Sequence, residues 1–179
     1  MRAAGELAIN GALIQAIVAM IEISFYHLTV RSVESALQTL LERTHARGWR
    51  AVVQAASDAR LKKIDEYLWS WRRDSFLAHG TARDPDPASQ PIYLTCDDTE
   101  NPNNADIRFF TEATALVPVL ESDAAPKSRA ALLFNGVDAA ELEDARAQWR
   151  ELREAGYPLV YYQQNDDGKW IEKAREPKP

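Results

Sequence analysis

From residue 21 onward the chain alternates short apolar runs, rich in β-branched and aromatic residues, with longer segments whose apolar positions recur every three or four residues. That alternation predicts βαβ units and an α/β fold: a Rossmann-like, mainly parallel sheet with helices on both faces. "IEISFYHL" (21–28) reads as the first strand. "SVESALQTLLERTHARG" (32–48) reads as a helix capped by Ser32 and stopped by Gly48, with Val33, Ala36, Leu37, Leu40 and Leu41 on one face. "RAVVQA" (50–55) is a strand, and a helix then starts at Ser57, buries Leu61, Ile64 and Leu68, and ends in an aromatic cluster.

The stretch 80–91 carries three prolines and no periodicity, which predicts a mobile surface loop. "IYLTC" (92–96) is a short strand with Cys96 buried in it, and "TENPNNAD" (99–106) and "DAAPKS" (123–128) are loops. "IRFFTE" (107–112) and "TALVPVLE" (114–121) read as strand segments, and "RAALLFNG" (129–136) has the continuous apolar run of a central parallel strand. A helix over 138–155 follows, capped by Asp138 with Glu141 completing a capping box, and Gly156 ends it. "YPLVYYQQ" (157–164) is the last strand, "NDDGKW" a turn and "EKAREPKP" a frayed charged tail. Residues 20–173 thus form one domain, with 174–179 as the tail and 1–19 as a loose helical extension or an upstream misread start.

Length and composition agree with one soluble domain: 179 residues, 46% hydrophobic and 27% charged. Net charge is −6, so binding to nucleic acid or to an anionic membrane is not expected from the whole-molecule field, and any anion site must be local. One cysteine precludes an internal disulfide and a multi-cysteine zinc site, in keeping with a cytoplasmic protein. The first twenty residues are too short and too interrupted by Glu6, Asn10 and Gln15 to span a bilayer.

A doubly wound sheet raises the prospect of a nucleotide enzyme. The first strand-to-helix connection, "HLTVRS", has no glycine, and neither a phosphate-binding glycine loop nor a nucleophile elbow occurs. His27, His45 and His79 lie apart without metal-ligand spacing, and "CDDTEN" (96–101) reads as a solvated loop rather than a metal site. The expectation is no catalytic residues, no metal and no cofactor, with a small-molecule enzyme kept as the rival.

Two surfaces stand out. On the 138–155 helix, Arg146, Trp149, Arg150 and Arg153 share one stripe beside a core strip of Leu142, Ala145, Leu152 and Ala155. One reading is a solvated face with Glu143 pairing Arg146 and Glu154 pairing Arg150. The other is a site where Trp149 supplies an apolar floor and the guanidiniums hold carboxylates, as suits an acidic peptide ending in an aromatic residue. Residues 65–79 gather Tyr67, Trp69, Trp71 and Phe76 beside Arg72 and Arg73, more aromatic surface than one helix end buries, and so resemble a protein-protein contact.

"ISFYHL", "IDEYLWSWRRDSFLAH", "AALLFNG" and "ARAQWRELREAGYPLVYYQQNDDGKW" together, in that order, resemble the chi subunit of bacterial DNA polymerase III over about Ile21 to Lys173. The resemblance implies a Rossmann-like fold without a nucleotide site. It also implies a non-catalytic adaptor that links the clamp loader to single-stranded DNA-binding protein by gripping that protein's acidic C-terminal tail. The tail pocket carries over to Arg146, Trp149, Arg150 and Arg153. Leu142 stands where family members can have a lysine, with Lys127 or Arg129 as candidate substitutes. Trp69 and Phe76 match the surface that meets the psi subunit, or another replication or repair partner. Direct binding to single-stranded nucleic acid would need a broad basic groove and is not expected at this net charge.

Overall fold

The computed structural model describes residues 21–70, 77–112 and 114–177. Within them an eight-stranded sheet forms from β1 (Glu22–Leu28), β2 (Ala51–Gln54), β3 (His79–Gly80), β4 (Ile92–Thr95), β5 (Ile107–Thr111), β6 (Arg129–Asn135), β7 (Leu159–Gln164) and β8 (Trp170–Glu176). The strand order is β3-β4-β2-β5-β6-β1-β7-β8. All neighbours pair in parallel except β7 and β8. The helices are α1 (Val33–Ala46), α2 (Asp58–Ser70), a single turn α3 (Val117–Leu120) and α4 (Ala139–Glu154).

Alternation along the strands divides the core. Ala131 and Leu133 of β6 join α1 and α2 on one face, while Ala130, Leu132 and Phe134 join α3 and α4 on the other. Both faces are covered, so the central strands read as unbroken apolar runs. The expected α/β architecture is what forms. Ser32 caps α1 by accepting from the Ser35 amide, and the Ser57 hydroxyl accepts from the Arg60 amide at the start of α2. Gly48 and Gly156, at φ +72° and +87°, end α1 and α4 in the left-handed conformation that glycine tolerates.

Four local expectations are corrected. Residues 114–121 are not a strand: Pro118 sits in the first turn of α3, where its missing amide costs nothing. The charged residues 172–176 are not frayed, because Trp170–Glu176 pairs antiparallel with β7. Asn165 and Gly168 close that hairpin, and Arg175 ties the strand to Glu22 and Glu172. Its charges belong to a sheet edge that must not pair with another chain. Cys96 lies one residue beyond β4 and is half-buried, where burial and Asp58 push its thiol pKa up. Residues 80–91 are pinned by Thr81 N–H to Asp84, by Arg50 to the Ser89 carbonyl and by Asn103 to the Gln90 carbonyl.

The loop that follows β4 is organised by a residue the sequence reading passed over. Arg108 on β5 is fully buried, and its guanidinium donates to Gln54 Oε1 and to the carbonyls of Asp97, Glu100 and Ala124. Burial pushes its pKa down to about 10 against the opposing pull of Asp98, Asp97 and Glu100, so it stays charged at neutral pH. The "CDDTEN" segment is therefore a loop wrapped around an internal cation. Arg108→Met removes the donors and leaves four acceptor groups unpaired, of which Gln54 Oε1 and the Ala124 carbonyl are buried, at about 1–3 kcal/mol each where water cannot reach them. We expect urea denaturation to show a loss of at least about 3 kcal/mol, and Arg108→Lys to recover only part of it because an ammonium lacks the planar fork.

Candidate functional site

Helix α4 lies over β1, β6 and β7 and owes its orientation to two side chains. Trp149 is half-buried and meets Phe25 edge-on at 5.2 Å and Tyr161 at 5.7 Å between ring centroids. Gln148, which is buried, accepts from the Leu116 amide at 3.0 Å and donates to the Thr114 carbonyl at 3.2 Å and to Asp144 at 2.8 Å. Together they fix the rotation of the helix. The core strip is Leu142, Ala145, Gln148, Trp149 and Leu152, whereas Ala155, expected inside, is exposed. A glutamine at a core position gave no signal in the apolar pattern; its cue was its place between Ala145 and Leu152 on the inward side.

Asp138 caps α4 by accepting from the amides of Ala140 and Glu141. Glu141 does not close the expected capping box. Its carboxylate accepts from the Asn135 amide at 2.7 Å and so ties the helix start to the end of β6.

With that rotation, Arg146, Arg150 and Arg153 are exposed along one side of α4 and Trp149 forms the inner border of the stripe. Glu143 stands 3.8 Å from Arg146 and 3.5 Å from Arg150, so one carboxylate serves both cations, and Glu154 is not the partner of Arg150. Both contacts are long and solvent-exposed, which makes them weak, within about 1 kcal/mol. The guanidiniums stay available for another anion.

Behind the stripe lies His27, near the end of β1. Its Nδ1 and the Tyr161 hydroxyl share a hydrogen bond of 2.9 Å, and its ring packs 5.3 Å from Phe134. A Cβ on Gly136 would lie 1.7 Å from His27 Nε2, so only glycine leaves the imidazole this position. Burial and then the Arg146 charge push the His27 pKa below the usual imidazole value, and burial outweighs Arg146 in pushing that of Tyr161 up. Arg146 is thus near a neutral, aromatic, hydrogen-bonding floor made by Trp149, Tyr161 and His27. The structure brings these groups together; only the α4 members were named from sequence as site residues, and His27 only as one of three scattered histidines.

Leu142 packs against the core at the first half of α4. Neither proposed substitute reaches it. Lys127 lies near Asp106, and Arg129 projects to the opposite face of the sheet, 5.8 Å from the Trp49 ring.

On the other expected surface, Trp69 is 59% exposed and its ring lies 4.9 Å from that of His79. His79 is buried between the Leu77 carbonyl and Asp65, at 2.6 and 3.1 Å. Trp71, Arg72, Arg73 and Phe76 lie outside the described residues, as does the segment before residue 21.

Just beyond β1, in the first strand-to-helix connection where such sheets can hold phosphates, the amides of Thr29, Val30 and Arg31 all point at Gln164 Oε1 at the end of β7, each at 3.1 Å. A side chain of the protein itself occupies that nest. Among the described residues no cluster of metal-ligating side chains forms, and no helix is long and apolar enough to cross a membrane.

Residues 20–160 match the family model described as DNA polymerase III chi subunit, HolC. A protein of Rickettsia prowazekii (strain Madrid E) named probable DNA polymerase III subunit chi is 30% identical over 102 residues, 57% of this chain and 61% of that protein's length. The DNA polymerase III subunit chi of Pseudomonas aeruginosa (strain PAO1) is 29% identical over 145 residues, 78% of this chain and 94% of that protein.

Two substitutions check the site geometry. In an NMR titration of the His27 ring, Arg146→Gln should raise the midpoint while leaving it below the usual imidazole value, because burial persists after the cation is removed. Gly136→Ala should displace the ring and break its contact with Tyr161, seen as a shift of the His27 and Tyr161 resonances and a lower melting temperature.

Proposed function

The chain belongs to the DNA polymerase III chi-subunit family, and from that premise we propose that it is a non-catalytic adaptor of the replication machinery which binds the acidic C-terminal tail of single-stranded DNA-binding protein on α4. The observation that carries the reading is the meeting of exposed guanidiniums with a half-buried tryptophan on one helix side, backed by Tyr161 and His27. Arg146 or Arg150 holds the terminal carboxylate in a planar, charge-assisted contact. The terminal phenylalanine packs against Trp149, and Arg153 steers the acidic residues before it. Trp69, with Phe76, forms a second contact surface, for a psi subunit or another replication or repair protein, and through it the clamp loader. The amides after β1, taken up by Gln164, favour an adaptor over a nucleotide enzyme.

A fluorescent peptide copying the tail tests this, beside the same peptide without its last phenylalanine. Binding that needs the phenylalanine, weakens with added salt and falls by at least about tenfold in Arg146→Glu is the expected result, since losing one charge-assisted contact is worth about 1.5–3 kcal/mol. Equal binding of both peptides, or an unaffected Arg146→Glu variant, refutes it. A carboxylate seated beside His27 favours the charged imidazole, so tail affinity should rise a few-fold as pH falls through the histidine range, and His27→Gln should flatten that rise. For the second surface, Trp69→Ala should abolish co-purification of the partner and leave tail binding unchanged.

A further inference from the structure

The face of the sheet opposite α4 carries a second basic-aromatic pocket that the adaptor reading does not use. Its cavity, about 240 Å³, lies between the C-terminal half of α1 and the strands β1, β7 and β8. Arg43 lines it from the last turn of α1, Arg47 from the cap that follows and Arg129 from the start of β6, with Trp49 between them. The Arg47 and Arg129 guanidiniums each stand 5.8 Å from the Trp49 ring centroid. Across the cavity Tyr26 and Tyr162 stack at 5.3 Å as neighbours on β1 and β7, and Trp170 closes edge-on against Tyr26 at 4.9 Å. Tyr26, Trp49, Tyr162 and Trp170 are all only partly buried.

Charge is unevenly satisfied around this pocket. Arg129 is paired with Glu22 at 3.3 Å, and Glu22 also serves Arg175. Arg43 and Arg47 are exposed, and among the described residues neither has a carboxylate within ion-pair distance. Arg43 lies in the last turn of α1 and Arg47 is its C-terminal cap, one turn further on. A chain of net charge −6 therefore concentrates uncompensated cations beside four aromatic side chains.

We propose that this pocket contacts single-stranded nucleic acid, taking a base against its aromatic and guanidinium walls and the adjoining phosphates on Arg43 and Arg47. Flat π-faces beside backbone-reading cations are the means by which proteins hold single strands without sequence preference. The cavity has room for a base rather than a duplex, and the partly exposed rings of Tyr162 on β7 and Trp170 on β8 border it. The net charge of the whole chain argues against nucleic-acid binding, but the charged side chains that line this pocket are all arginines. This site is independent of the tail-binding surface on α4.

The test uses the full chain at low salt and a fluorescein-labelled oligothymidylate of about twelve nucleotides, long enough for one single-strand site, followed by anisotropy. Binding is expected with a salt slope of about −1.4, the value for two phosphate contacts on a single strand. Arg43→Glu with Arg47→Glu should weaken it by at least about tenfold, and Trp170→Leu by about fivefold or more, the range for one lost stacking contact. Arg146→Glu should leave it intact. Both α1 arginines are exposed, so the double variant should keep the wild-type circular dichroism. No binding at low salt, binding that survives the double substitution, or displacement of the oligonucleotide by the acidic tail peptide in the Arg146→Glu protein would overturn the proposal. The last outcome would identify the pocket as a second peptide site.

Discussion

The packing of Trp149 against Phe25 and Tyr161 is the contact on which the presentation of α4 depends. Aromatic contacts of this kind contribute roughly 0.5–1.5 kcal/mol each beyond the area they bury, whereas the repulsion between Arg146 and Arg150 costs a few tenths. The helix therefore accepts a row of cations at its edge because one of its own residues anchors it to the sheet. Gln148 adds direction to that anchorage by binding both sides of the 114–116 connection. The side chain that holds the helix down is also the apolar border of the exposed stripe, so stability and the proposed recognition share one residue.

Where a nucleotide-binding relative of this architecture would place ligand, the chain places its own polar side chains. Gln164 fills the amide nest beyond β1, Arg60 bridges Glu34 and Glu112 beside it, and Arg108 gathers loop carbonyls beneath the sheet edge. Each gives polar groups of neighbouring segments a partner within the chain. The exposed arginine-aromatic chemistry lies on the helix flanks and the sheet face.

Charge is arranged by face rather than in total. A net negative chain carries the arginine stripe of α4 on one side of the sheet and the arginines of α1 on the other, each beside partly buried aromatic rings. At physiological salt, fields fade over about 8 Å, so the local set of cations decides what anion a surface attracts.

The alternation of apolar runs with amphipathic segments determined the parallel α/β sheet, and capping residues such as Ser32, Asp138 and Gly156 determined where helices begin and end, because both are local consequences of backbone hydrogen bonding and side-chain periodicity. The stripe Arg146, Trp149, Arg150 and Arg153 was legible for the same reason, since residues three and four apart on one helix must share a side. The strand Trp170–Glu176 was not, because a charged edge strand is stabilised by its pairing with β7 and not by burial. Nor was the floor behind the stripe: His27, Gly136 and Tyr161 are far apart in the chain and meet only through the adjacency of β1, β6 and β7. The pocket of Arg43, Trp49, Tyr162 and Trp170 was likewise decided by strand order, which no local pattern encodes, as was the burial of Arg108.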